Sequence, residues 1–226
     1  MRASRAVEWL DERLPFLDAI KAARDRRVPD YATAFHRYLG GLAVILLGIE
    51  GLTGLLLTVY YVPDGAGDPA PAFSSVSAIQ DSVPLGWLVR GMHFWGASAL
   101  LVVVLLHMIA VLWTGGYRAP REVNWTVGAI LLLLVVAFAL TGSLLPWNVN
   151  ALLGRATEIN IAAGEGVFPA PLSEQIRFLL QSGPVIGPAT LLRFYVAHVI
   201  LLPVLAGGLF YLHLKLVRRH GPVEPR

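Results

Sequence analysis

Four stretches of this sequence are apolar for long enough to cross about 30 Å of hydrocarbon: roughly 36–61, 87–113, 125–144 and 191–216. Nothing else in the chain limits the fold as strongly. In lipid every backbone N–H and C=O must find its partner within the protein, so segments of this length read as helices. A content of 56% hydrophobic and 15% charged residues is too apolar for an ordinary soluble domain. The expected fold is an all-α membrane protein, a bundle of four transmembrane helices. Cysteine is absent, which excludes a disulfide framework, cysteine-ligated iron-sulfur clusters and a CxxCH haem attachment.

The second span carries His93 and His107, fourteen residues apart. At 100° and 1.5 Å per residue, that spacing leaves the two imidazoles within about 40° of one face and separates them by about 21 Å. One imidazole then lies near each membrane surface. The fourth span carries His198 and His213, fifteen apart, which in an ideal helix is about 22 Å and 60° out of phase. Pro203 between them can bend the axis and restore the alignment. A lone buried histidine is commonly a satisfied core group, but four at matched spacing in two membrane helices point to ligation, because polar side chains in hydrocarbon tend to mark function. Zinc is a poor fit, since the pairs are too far apart for one tetrahedral site and have no cysteine or carboxylate beside them. Axial ligation of two haems, each by two imidazoles, fits a flat apolar macrocycle held between helices.

The first span is rich in glycine, and Gly40 and Gly54 are again fourteen apart; the third span repeats the interval with Gly128 and Gly142. Small residues commonly let membrane helices pack closely. Repetition of the histidine interval on two further helices suggests that each glycine lacks a side chain where a porphyrin edge approaches. Glu50, four residues from Gly54, is expected to face the bundle and to bond, in its neutral form, either a haem substituent or a neighbouring helix. Arg90 and Arg193, shortly before His93 and His198, are candidate partners for haem propionates, because guanidinium suits carboxylate geometry.

All but four of the 18 Lys and Arg precede the first span or its first turn, or lie in the 114–124 loop or the C-terminal end; the four are Arg90, Arg155, Arg177 and Arg193. By the positive-inside rule both termini are then cytoplasmic, and the 62–86 and 145–190 loops face the outer side. The net charge of +3 follows from this asymmetry and gives no reason to propose nucleic acid. Residues 4–28 place Val7, Leu10, Leu14 and Leu17 at helical spacing among charges, an amphipathic helix for the membrane surface. The chain thus divides into a cytoplasmic-side amphipathic segment at 1–34, a four-helix domain at 35–217 that includes the outer loop 145–190, and a tail at 218–226. The Pro63–Pro84 loop is expected to hold a short helix, and the 145–190 loop is long enough to carry helices at 149–163 and 172–181.

Several motifs tie these features to a family. They are Trp9 with Glu12-Arg13-Leu14, Leu39-Gly40-Gly41, Thr53-Gly54, Tyr60-Tyr61, Gly86-Trp87-Leu88-Val89-Arg90 with His93, and Thr114-Gly115-Gly116-Tyr117 with Pro120-Arg121-Glu122. Thr141-Gly142, Leu145-Pro146-Trp147, Arg193-Phe194-Tyr195 with His198, and His213 complete them. The chain resembles cytochrome b of the bc-type quinol-oxidising complexes and is most similar to the split form, cytochrome b6, over about residues 8–221.

That resemblance implies two non-covalent b-type haems, a low-potential one on His93 and His198 near the outer side and a high-potential one on His107 and His213 near the cytoplasmic side. It implies a quinol:cytochrome c (or similar acceptor) oxidoreductase complex that is inactive without its other subunits. Quinol is oxidised outside, one electron crosses to a quinone inside, and protons are translocated. Lys215, Arg218 and Arg219 are placed to stabilise a reduced quinone or a propionate. The implied partners are a Rieske-type iron-sulfur protein, a c-type cytochrome, and a separate subunit with the remaining helices, because the family's Pro-Glu-Trp-Tyr motif is absent from this sequence. The complex is expected to be a homodimer in a bacterial cytoplasmic membrane. Tyr38 stands where cytochrome b6 has the cysteine that attaches a third haem, so a covalent third haem is not expected. The alternative is a di-haem membrane anchor of a formate dehydrogenase or hydrogenase; a haem-free scaffold or transporter is the reading from another class.

Overall fold

A computed structural model describes residues 38–164 and 166–221. The amphipathic segment expected over 4–28 lies outside the described residues. Among the described residues the chain is helical without strands, and four apolar helices are long enough to span a membrane. They are α1 (Leu39–Thr58), α3 (Gly86–Trp113), α4 (Glu122–Gly142) and a 33-residue run over Pro188–His220. That run comprises α7 (Pro188–Val196), a π turn (Ala197–Leu201) and α8 (Leu202–His220). Between them lie three shorter helices, α2 (Pro71–Asp81), α5 (Val149–Ala162) and α6 (Ala170–Gln181). α1 packs along α3, α4 along α8, and α3 against α4. Large apolar side chains point outward as well as inward: Leu55 and Leu133 are each 67% exposed. An apolar outer surface on long helices is what hydrocarbon solvates, and water does not.

The helix boundaries follow from local chemistry. Proline stands in the first turn of α2, α6 and α7, where its missing N–H has no intrahelical partner to lose. Asn148 caps α5 by accepting from the Ala151 N–H at 2.9 Å. α8 ends at Gly221, φ 69°, with Arg218, Arg219 and His220 in its last turn, cations set at the negative end of the helix dipole. The turn into α3 requires glycine at 86, because a Cβ there would run into the backbone carbonyl of Ile79. Arg121 donates to the His220 carbonyl at 3.1 Å, so the short α3–α4 loop and the end of α8 share one end of the bundle.

The opposite end carries the long loops and the buried nucleus. Ala72, Leu144 and Leu191 are fully buried, with Tyr61, Leu145, Trp147, Leu152 and Phe194 packed on them. Tyr61 donates its hydroxyl to the Leu145 carbonyl at 2.8 Å and stacks on Tyr195 with ring centroids 5.6 Å apart. Burial, and secondarily Tyr195, pushes the Tyr61 phenol above its ordinary range, so it remains a donor at any working pH. Arg155 of α5, only 5% exposed, reaches the Leu140 carbonyl and Ser143 Oγ at the end of α4, pairs with Glu158 at 2.6 Å and lies 4.5 Å from the centre of the Phe194 ring. Burial lowers its pKa and Glu158 opposes that shift. α5 is thereby pinned to the end of α4.

Candidate functional site

Two pairs of imidazoles face one another across the bundle. His93 of α3 and His198 of the π turn have ring centroids 6.2 Å apart with planes at 82°. His107 of α3 faces His213 of α8. The fifteen-residue interval between His198 and His213 is reconciled with the fourteen of α3 by the π turn. There the Leu202 N–H bonds the Ala197 carbonyl, five residues back. A π turn takes up one extra residue without shifting the phase of the helix beyond it. Pro203 favours it, because it has no N–H to offer the Val199 carbonyl four residues earlier. The alignment expected from a proline bend therefore arises from a change in hydrogen-bond register.

The four glycines sit opposite the four histidines. A Cβ at Gly40 would lie 3.2 Å from His107 Cε1, at Gly54 3.1 Å from His93 Cε1, at Gly128 3.3 Å from His213 Cε1, and at Gly142 2.7 Å from His198 Cε1. The group a side chain would meet first is the imidazole of the neighbouring helix. That is a nearer cause for the glycine interval than the porphyrin edge expected from sequence. α1 backs the histidines of α3, and α4 backs those of the fourth span. Because the paired helices run antiparallel, Gly40 and Gly54 meet His107 and His93, and Gly128 and Gly142 meet His213 and His198, so one interval repeats.

The residue before two of these glycines completes the arrangement. Thr53 donates its hydroxyl to the Ile49 carbonyl at 2.6 Å, and Thr141 donates to the Ala137 carbonyl at 2.7 Å. Each hydroxyl also lies against an imidazole Nδ1: Thr53 Oγ1 is 3.1 Å from His93, and Thr141 Oγ1 is 3.0 Å from His198. A hydroxyl has one proton, already given to the backbone, so toward the ring it accepts. Nδ1 of both histidines therefore carries the hydrogen, and the lone pair of Nε2 is free for a metal. Two metal–imidazole bonds of about 2 Å each, with each ring centre about 1 Å beyond its nitrogen, separate ring centres by about 6 Å. The His93–His198 distance matches that, so the donor set fits the iron of a b haem. Neither threonine stands out in the sequence by itself; the Thr-Gly doublet repeated at the same place in two spans is the signal that marks them.

The remaining candidates are placed as follows. Glu50 faces the bundle, and its Oε2 lies 3.1 Å from His93 Nδ1, so of the two expected partners it takes the neighbouring helix. Arg90 donates to Gln80 at 2.7 Å, and Arg193 lies exposed in α7. Lys215 and Arg218 are exposed near the end of α8, beyond His213. Leu39 and Val127 precede Gly40 and Gly128, so no threonine reaches the inner pair from those positions. The backbone of Asn124 faces His213, whose Nδ1 is buried without a side-chain partner.

Comparison with known proteins agrees with this geometry. The family described as cytochrome b/b6/petB matches residues 24–221. The chain is similar to the menaquinol:cytochrome c reductase cytochrome b subunit of Geobacillus thermodenitrificans, 37% identical over 98% of this chain and 99% of that one. It is similar to cytochrome b6 of Synechococcus sp. (strain JA-3-3Ab), 34% identical over 98% and 99% of the two chains. The cytochrome bc complex cytochrome b subunit of Chlorobaculum thiosulfatiphilum is 38% identical over 96% of this chain, which spans 49% of it. Among solved structures a hyperthermophilic respiratory Complex III matches with a TM-score of 0.79 and 31% identity over 95% of this chain, which spans 55% of that chain.

Proposed function

The chain belongs to the cytochrome b family, and from that membership we propose that it is the di-haem subunit of a quinol:cytochrome c oxidoreductase complex. The observation that carries the reading is the approach of the Thr53 and Thr141 hydroxyls to Nδ1 of His93 and His198, whose rings lie 6.2 Å apart. His93 and His198 would hold one haem, and His107 and His213 the other. Two b haems so held supply one-electron carriers near each membrane face, which is what a path between quinol oxidation on one side and quinone reduction on the other requires. The chain's own part is to align the imidazoles, fix their tautomer and exclude water with apolar helices. Arg90 and Arg193 would pair propionates at the loop-bearing end. Lys215 and Arg218 would attract an anionic quinone or propionate at the other. The positive-inside bias puts that end in the cytoplasm. A relative of the same length is named as one subunit of a menaquinol:cytochrome c reductase, and on this reading an iron-sulfur protein, a c-type cytochrome and a chain with further helices would be the partners. The family match disfavours the formate dehydrogenase or hydrogenase anchor.

The test is a redox titration of the purified complex followed optically, with His93→Ala and His107→Ala alongside. Two low-spin b haems of separate potential are expected, with a different one lost in each variant. A single haem, or none, overturns the reading.

A further inference from the structure

The two histidines of the loop-end pair are held differently, and the difference is a carboxyl group. His198 Nδ1 meets Thr141. His93 Nδ1 meets Thr53 at 3.1 Å and also Glu50 Oε2 at 3.1 Å. Glu50 is two turns inside α1 from its C-terminal end, a depth at which a carboxylate is costly unless it is engaged. Its position is built for: Oε1 turns toward α3 at Gly96, where a Cβ would collide with that oxygen and lie 3.4 Å from Cδ. Gly96 is one turn after His93 on the same helix. Gly54 thus clears space for the His93 ring, and Gly96 clears space for the carboxyl group that reaches its far nitrogen.

We propose that Glu50 sets a potential: by sharing the His93 Nδ1–H with Thr53, as a second acceptor, it holds the His93/His198 haem at a lower reduction potential than the His107/His213 haem. The inference rests on the di-haem function proposed for the chain. An acceptor on the far nitrogen makes a ligating imidazole a stronger electron donor, and a stronger donor favours the oxidised iron. At His213 the facing group is the neutral backbone of Asn124, and among the described residues no carboxyl group reaches its Nδ1. The acceptor oxygen of Glu50 therefore biases one centre of the pair, and Glu50 acts through His93 as a positioning residue.

The test measures both haem potentials in the purified complex for the parent, Glu50→Gln, Glu50→Leu and Gly96→Ala. Glu50→Leu is expected to shift the reduction equilibrium of the His93/His198 haem about tenfold toward the reduced form, which for a one-electron couple is about 59 mV. The other haem should stay where it was. Glu50→Gln, whose amide oxygen still accepts, should move it less. If Glu50→Leu does not assemble, Gly96→Ala, which displaces the carboxyl group while leaving Glu50 in the chain, must give the same selective rise. Two intact haems whose potentials ignore these changes, or move together, overturn the proposal alone. Absence of haem from the parent overturns the haem reading and this inference with it.

Discussion

At the scale of the residue, the four glycines differ in how little room they leave, and that ordering predicts their tolerance of a methyl group. Alanine in place of glycine gains roughly 1 kcal/mol of helix propensity, while overpacking costs about 1–3 kcal/mol. At Gly128 the added Cβ would sit 3.3 Å from His213 Cε1, a contact the ring relieves by moving a few tenths of an ångström; the two effects should nearly cancel. At Gly142 it would sit 2.7 Å from His198 Cε1 and 3.2 Å from Nδ1, so the ring must leave its bond to Thr141. Gly142→Ala should therefore lose the His93/His198 haem selectively, and Gly128→Ala should keep both, as read from optical spectra and haem content; equal behaviour of the two variants would count against glycine–imidazole packing. The glycine interval was legible in the sequence because it repeats in one dimension. What each glycine touches was not, since it depends on the phase of one helix against another. The same holds for Thr53, Thr141 and the choice Glu50 makes between its possible partners.

At the scale of the element, the spans and the loop helices could be read from apolar length, proline and glycine, whereas the register of the fourth span could not. Fifteen residues of ideal α-helix would leave His213 about 60° out of phase with His198, to the opposite side from the roughly 40° offset of His107 against His93, so the two pairs would not stay in register. The sequence offered Pro203 as a hinge. The chain instead places a π turn just before that proline, where the Leu202 N–H reaches the Ala197 carbonyl and one residue is taken up by the change in hydrogen-bond register. Deleting Ile200 should let the segment revert to α-helix with an interval of fourteen, matching His93 and His107, so both haems should be retained. Inserting one alanine after Ile200 gives an interval that the single turn cannot take up, and one haem should be lost. Pyridine haemochrome counts per polypeptide distinguish the two results, and loss in the deletion variant as well would rule out register compensation.

At the scale of the whole molecule, the two ends of the bundle are built differently. The loop end is packed around Ala72, Leu144 and Leu191 and tied by Tyr61 and the buried Arg155. The other end has the short α3–α4 loop, the end of α8 and five of the nine Lys and Arg among the described residues. Translocating cations costs free energy, and because only Arg155 and Arg177 of the 18 Lys and Arg of the full sequence lie in the loops at 62–86 and 145–190, the positive-inside rule predicts that those two loops face outward. The chain has no cysteine, so single thiols report the orientation without background. Ser82→Cys, exposed after α2, should react with a membrane-impermeant maleimide added to intact cells. Ala119→Cys, exposed in the short loop, should react only after permeabilisation. The opposite pattern would put His93, His198 and Glu50 at the cytoplasmic face. The electron path would then run in the other sense, with the low-potential centre on the quinone-reducing side, where it would drive no uphill crossing of the membrane.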